Sequence, residues 1–147
     1  MTTFLSRVTY LLFDHELTDG QDSFVGEEQT LDREVRLETS DGSVRYVSWT
    51  SNPVQYCVGI QEQSWFLPGE VSEIDVTTRA PWRHLVGEAI ELTWQDPKHQ
   101  ILEVRGKAAS VYLSSREGKY WCADAITVSI LPPELPSNKS LERARER

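Results

Sequence analysis

Cysteine and methionine are nearly absent from this 147-residue chain, which has two of the first and one of the second. Cys57 and Cys122 allow one disulfide at most, and without an export signal they are expected to stay reduced and fill space in a core. The three histidines, His15, His84 and His99, stand singly, so the short Cys/His spacings of a structural zinc site are missing. The eight glycines never cluster ahead of a helix, which removes a phosphate-cradling loop, and no serine sits in a Gly-x-Ser-x-Gly elbow. No apolar run approaches the ~20 residues that a membrane-crossing helix needs. The opening Met1-Thr2-Thr3-Phe4-Leu5-Ser6-Arg7 lacks the charged start and apolar stretch of a signal peptide, so a cytoplasmic protein is expected.

Positive charge is also scarce. Fifteen Lys and Arg face twenty-three Asp and Glu, giving −8 and a pI near 4.9, which argues against a nucleic-acid or acidic-membrane partner. Most of the excess is local. Asp14, Glu16, Asp19, Asp22, Glu27, Glu28, Asp32 and Glu34 meet one base, Arg33, so this stretch carries −7. Such a field attracts a basic partner and speeds encounter with it, although a charge run also serves merely to keep a protein soluble. The C-terminal tail after Ser137 is weakly basic, too little to hold phosphate.

The chain is rich enough in apolar residues (39%, with five Trp, five Tyr and four Phe) to build a single-domain core. Its dominant hydrophobic period is two. Ile90, Leu92 and Trp94 alternate with Glu91, Thr93 and Gln95; Ile126, Val128 and Ile130 alternate with Thr127 and Ser129; Val35 and Leu37 sit between Glu34, Arg36 and Glu38. That is the pattern of antiparallel strands with one buried and one wet face. Further strands are expected at Val8–Phe13, Val44–Trp49, Tyr56–Gln61, Glu73–Thr77, Ile101–Arg105, Ser110–Ser115 and Tyr120–Cys122. Turn signals at Asp41-Gly42, Ser51-Asn52-Pro53, Pro68-Gly69, Asp96-Pro97 and Glu117-Gly118 separate them. The expected fold is all-β, an antiparallel sandwich or partly open barrel of nine or ten strands. The only helical turn expected lies near 81–86, between Pro81 and a left-handed stop at Gly87. The β domain is read as 1–136, with residues 137–147 as a polar, frayed tail after the prolines.

No catalytic constellation stands out. Asp14, Glu16 and Thr18 begin like a calcium loop, but the sixth position is Asp19 rather than Gly and the twelfth is Val25 rather than Glu. No metal, cofactor or catalytic residue is assigned. Among the tryptophans, Trp49, Trp94 and Trp121 fall in phase with core positions. Trp65, with Phe66, lies in the loop-like stretch Gln61–Gly69 and is expected to be exposed, a candidate anchor for a partner.

Residues 35–131, about two thirds of the chain, carry a resemblance. Glu73-Ile74-Asp75-Val76-Thr77 followed by Pro81-Trp82-Arg83-His84-Leu85-Val86-Gly87-Glu88-Ala89-Ile90 is similar to an acid–apolar strand and Trp-x-x-Leu-[Ile/Val]-Gly-x-x-Ile pattern. That pattern occurs in bacterial immunity proteins encoded beside polymorphic toxins, including type VI secretion effectors. The Asp41-Gly42 turn and the stretch Asp124-Ala125-Ile126-Thr127-Val128 agree with it. The resemblance implies a non-enzymatic antitoxin that occludes the basic active site of one cognate toxin. On that reading Asp14, Glu16, Asp19, Asp22, Phe24, Glu27, Glu28, Asp32 and Trp65 form the partner-binding surface, and Trp82, Leu85, Gly87 and Ile90 are framework. An all-β adaptor with another protein partner, or a small-molecule carrier with an internal pocket, are the alternatives; a deep apolar pocket would favour the carrier.

Overall fold

The computed structural model describes residues 3–13, 26, 28–50, 57–66, 72–115 and 125–133. The expected strand Tyr120–Cys122, the 116–119 turn, Trp121 and the tail beyond 136 lie outside them. Two five-stranded antiparallel sheets pack as a sandwich, as the period-two pattern requires. The strands are β1 (Leu5–Leu12), β2 (Glu28–Leu31), β3 (Glu34–Thr39), β4 (Val44–Thr50), β5 (Cys57–Gln61), β6 (Ser72–Asp75), β7 (Glu91–Trp94), β8 (Ile101–Arg105), β9 (Ser110–Ser114) and β10 (Ile126–Ser129). The first sheet runs β5-β4-β3-β1-β6 and the second β2-β10-β9-β8-β7. Among the described residues no helix is long and apolar enough to cross a membrane.

Each inner face is supplied by alternate residues. Val8, Tyr10 and Leu12 of β1, Val35 and Leu37 of β3 and Val47 of β4 meet Leu31, Leu102, Val104, Val111, Leu113, Ile126 and Val128 from the second sheet. Leu5 breaks the parity of β1 yet is fully buried, because the register shifts between Leu5 and Arg7 and returns the chain inward. Among the described residues a single 3-10 turn, Trp82–His84, stands where the one helical turn was expected, and Gly87 follows at φ +93°. Behind it Gly87 N–H donates to the Leu5 carbonyl at 2.7 Å and Leu5 N–H to that of Glu88 at 2.9 Å, fastening the turn to the start of β1.

β2 has no counterpart among the strands expected from sequence. Its residues Glu28-Gln29-Thr30-Leu31 lie within the acidic run and offer one apolar side chain, but the inward positions are Gln29 and Leu31. Gln29 is buried because it completes a hydrogen-bonded chain through the core. Trp82 Nε1–H donates to Tyr10 Oη at 2.8 Å, Tyr10 Oη–H donates to Gln29 Oε1 at 2.7 Å, and Gln29 Nε2 donates to the carbonyls of Ala80 (2.9 Å) and Gly26 (3.1 Å). Burial pushes the Tyr10 phenol well above its ordinary value, despite the opposing hydrogen bond from Trp82, so it remains a neutral donor. Tyr10→Phe would strand the Trp82 N–H and the Gln29 oxygen inside the core. We expect it to remove about 1–3 kcal/mol of unfolding free energy, read as a lower urea midpoint with unchanged slope.

Candidate functional site

The start of β3 is where the acidic run meets the folded scaffold. Because Val35 and Leu37 face the core, Glu34, Arg36 and Glu38 face outward. Arg36 uses that position conventionally, pairing with Glu73 at 2.9 Å and lying 3.6 Å from Glu38. Glu34 does not: it is fully buried on the outer face of its sheet. Residues 62–66, leaving β5, fold back across that face. Ser64 Oγ–H and Trp65 N–H both donate to the Glu34 carboxylate, the second at 3.0 Å. The Trp65 ring lies over Gly59 so closely that a Cβ there would stand 2.6 Å from its Cζ2 and Cη2 atoms, and its Nε1–H reaches the Tyr46 carbonyl at 3.3 Å.

Arg33 completes the cluster. It is 5% exposed, its Nε lies 3.7 Å from Glu34 Oε1, and that Nε makes no hydrogen bond. Its guanidinium instead sits over two rings, 5.5 Å from the Phe13 centroid and 5.1 Å from that of Phe66. Those rings meet edge to face at 5.1 Å. The backbone is held as well: Ser48 Oγ–H donates to the Arg33 carbonyl and Trp49 Nε1–H to that of Asp32.

Glu34 and Arg33 therefore belong to the framework and offset one another. The other seven acids between 14 and 34 keep the same −7 with no base among them. Of the residues expected at the partner surface, Glu28 is exposed on β2, the edge strand of the second sheet. Asp32 is half-buried in the turn from β2 to β3. Trp65 lies in a loop as expected, but it and Phe66 are half-buried rather than exposed, because Glu34, Gly59 and Arg33 hold them down. Asp14, Glu16, Asp19, Asp22, Phe24 and Glu27 lie outside the described residues. The flanks of their stretch are fixed: Phe13 packs on Arg33, and the Gly26 carbonyl accepts from Gln29, four residues before Arg33. Beside that second flank, Ser129 pairs with Glu28, and the two residues after it, Ile130 (36% exposed) and Leu131 (69%), present apolar surface. Sequence reasoning missed them because they extend an alternating core pattern without a break.

A second polar cluster lies on the outer face of the second sheet. Glu103 accepts from Gln95 Nε2, from Arg105 Nε and Nη2, from Ser110 Oγ and, at 3.5 Å, from Tyr112 Oη. Hydrogen bonding by Arg105, with Ser110 assisting against the effect of burial, holds its carboxyl below the usual range. Two open clefts of about 210 and 490 Å³ flank Ile90 beside β7. Of the acids that line them, Asp41 accepts from Ser43 N–H and Thr39 Oγ, and Glu88 from Lys107 N–H. Among the described residues no group of three or more His, Cys, Asp or Glu is placed to hold a metal ion. Comparison with family models, with curated proteins and with solved structures returns no match.

Arg33→Met keeps much of the ring packing but leaves the Glu34 charge buried beside an apolar chain. It should destabilise the protein by roughly 3 kcal/mol, with much of the loss recovered in Arg33→Met/Glu34→Gln, a coupling that a double-mutant cycle in urea measures directly. For Glu103 the folded-state carboxyl titrates below its unfolded value. Its stabilisation is complete above the unfolded value near 4.3 and is lost as pH falls through the lower folded value. Glu103→Gln should flatten the acid limb of the stability–pH curve below about pH 5.

Proposed function

We propose that the chain is a binding protein of the toxin-neutralising, immunity type, which docks a basic protein partner through the acidic surface around residues 14–34. One observation carries this reading: Arg33, the single base of that run, is buried against Glu34, and the run's sequence holds seven further acids and no second base. Two flanking residues are held by the framework: Phe13 lies under the buried Arg33 guanidinium, and the Gly26 carbonyl accepts from the buried Gln29 amide. Fixing the ends of a segment reduces the ordering that binding must accomplish. Clustered charge steers a cationic surface into register, and the apolar Ile130 and Leu131 adjoin Glu28, so one face offers both charge and apolar contact. The resemblance of residues 73–90 to immunity proteins points the same way, with the basic active site of a toxin as the surface to be covered.

Co-expression with the product of the neighbouring gene, followed by size-exclusion chromatography, tests the partner. A stoichiometric complex is expected. Reversing Asp19, Asp22, Glu27 and Glu28 to lysine should slow association by about tenfold or more at low salt while leaving the urea midpoint in place. Unchanged affinity at low salt would reject the acidic surface as the contact.

A further inference from the structure

We propose that residues 62–66 form a strap that opens as a unit and presents Trp65 and Glu34 together to the cationic partner; this rests on the binding reading above. Three features of the molecule lead there.

The first is how lightly the strap is held. It lies outside the strand ladders, and none of its residues belongs to the hydrophobic core. Glu62 and Gln63 are exposed, and the Glu62–Arg45 ion pair at 3.6 Å is solvent-facing, the kind that contributes little. Among the described residues its grip consists of two hydrogen bonds to Glu34, one long bond to Tyr46, the Trp65 ring on bare backbone at Gly59, and Phe66 over Arg33 and edge to face with Phe13.

The second is what lies beneath. Under an apolar lid, opening would expose hydrophobic surface and be opposed by it. Here opening returns water to a buried carboxylate and to a guanidinium whose Nε has no acceptor, so recovered hydration offsets part of the lost contact. The β3–β4–β5 ladder below is paired strand to strand without the strap. Arg33 remains tied by Phe13 and by the Ser48 bond to its carbonyl.

The third is the chemistry uncovered. A carboxylate and an indole side by side suit a Lys- or Arg-bearing surface, one by charge and the other by cation–π contact. Opening would give Trp65 the exposure that its loop position leads one to expect, and would bring Glu34 to solvent beside a run that holds seven other acids and no base but Arg33.

Gly59→Ala provides the test, because its methyl group has no room while Trp65 lies over it. Ser64→Ala, which removes one donor from Glu34 without touching the sheet, is the second variant and carries the comparison if the first fails to fold. Amide exchange at Trp65, 19F spectra of 5-fluorotryptophan-labelled protein and titration with poly-L-lysine are the readouts. In the wild type the Trp65 amide should exchange about tenfold or more faster than those of Val35 and Leu37. In the variants the Trp65 resonance should move toward its solvent-exposed position with β3 still protected, and affinity for poly-L-lysine should rise about threefold. Exchange of Trp65 in step with Val35 in every protein would overturn the strap. So would opening without a gain in affinity, if lysine reversal of Asp19, Asp22, Glu27 and Glu28 still weakened binding; the acidic surface would then stand alone. If that reversal changed nothing, both readings would fall.

Discussion

The chain of hydrogen bonds from Trp82 through Tyr10 to Gln29 is the constraint around which the sandwich is arranged. Tyr10 belongs to the first sheet, Gln29 to the second, and Trp82 to the turn between β6 and β7. Apolar contact is indifferent to small sliding motions, whereas a relay of buried donors and acceptors is satisfied in one alignment only. Each member has a partner: the indole donates to the phenol, the phenol donates to the Gln29 oxygen, and the Gln29 nitrogen donates to two carbonyls. Sliding one sheet over the other would orphan several of these groups at once, so the relay fixes how the two apolar faces mesh. It also sets Gly26, and with it one flank of the acidic stretch.

The scaffold was largely legible because period two is a local signal. Val35 and Leu37, Leu92 and Trp94, Ile126 and Val128 announce strands without reference to anything distant. Gly87 at φ +93° was legible for the same reason, since a left-handed residue after a short turn depends on its own backbone. β2 was not, because its buried Gln29 looks like a surface residue until Tyr10 and Ala80 stand beside it. Glu34 fails in the same manner. Alternation correctly turned it outward, but whether an outward face is wet depends on whether another segment returns over it, and residues 62–66 do. Half-burial of Trp65 follows from the same return. What the sequence withheld is the partnering of polar groups across long separations, which no local period encodes.

The two outer faces resolve their charges differently. On the first sheet, Arg7 and Arg36 reach across strands to Asp75 and Glu73 in largely solvated pairs, which set register more than they stabilise. On the second sheet, Glu103 gathers donors from β8, β9 and the end of β7 into one satisfied knot. The Arg33–Glu34 pair resembles neither, since its members are covered by aromatic rings and by the returning loop. At the end of the acidic run the framework thus consumes one acid and one base together and leaves the net sign of the run unchanged.

The strand order has a consequence for the sequence of events during synthesis. β2 emerges early from the ribosome, yet its ladder partner is β10, and Thr30 waits for Thr127, ninety-seven residues later. The first sheet has all its strands once β6 is made, and β7 to β9 zip as neighbours. Closure at β2 is therefore among the last long-range pairings available to the growing chain. Until then Gln29 has no ladder partner, although Tyr10 and Ala80, which hydrogen-bond it in the core, have already been made. Thr30 and Thr127 can close their pairing only once both strands exist, so the edge of the second sheet is completed across a longer stretch of chain than any pairing in the first.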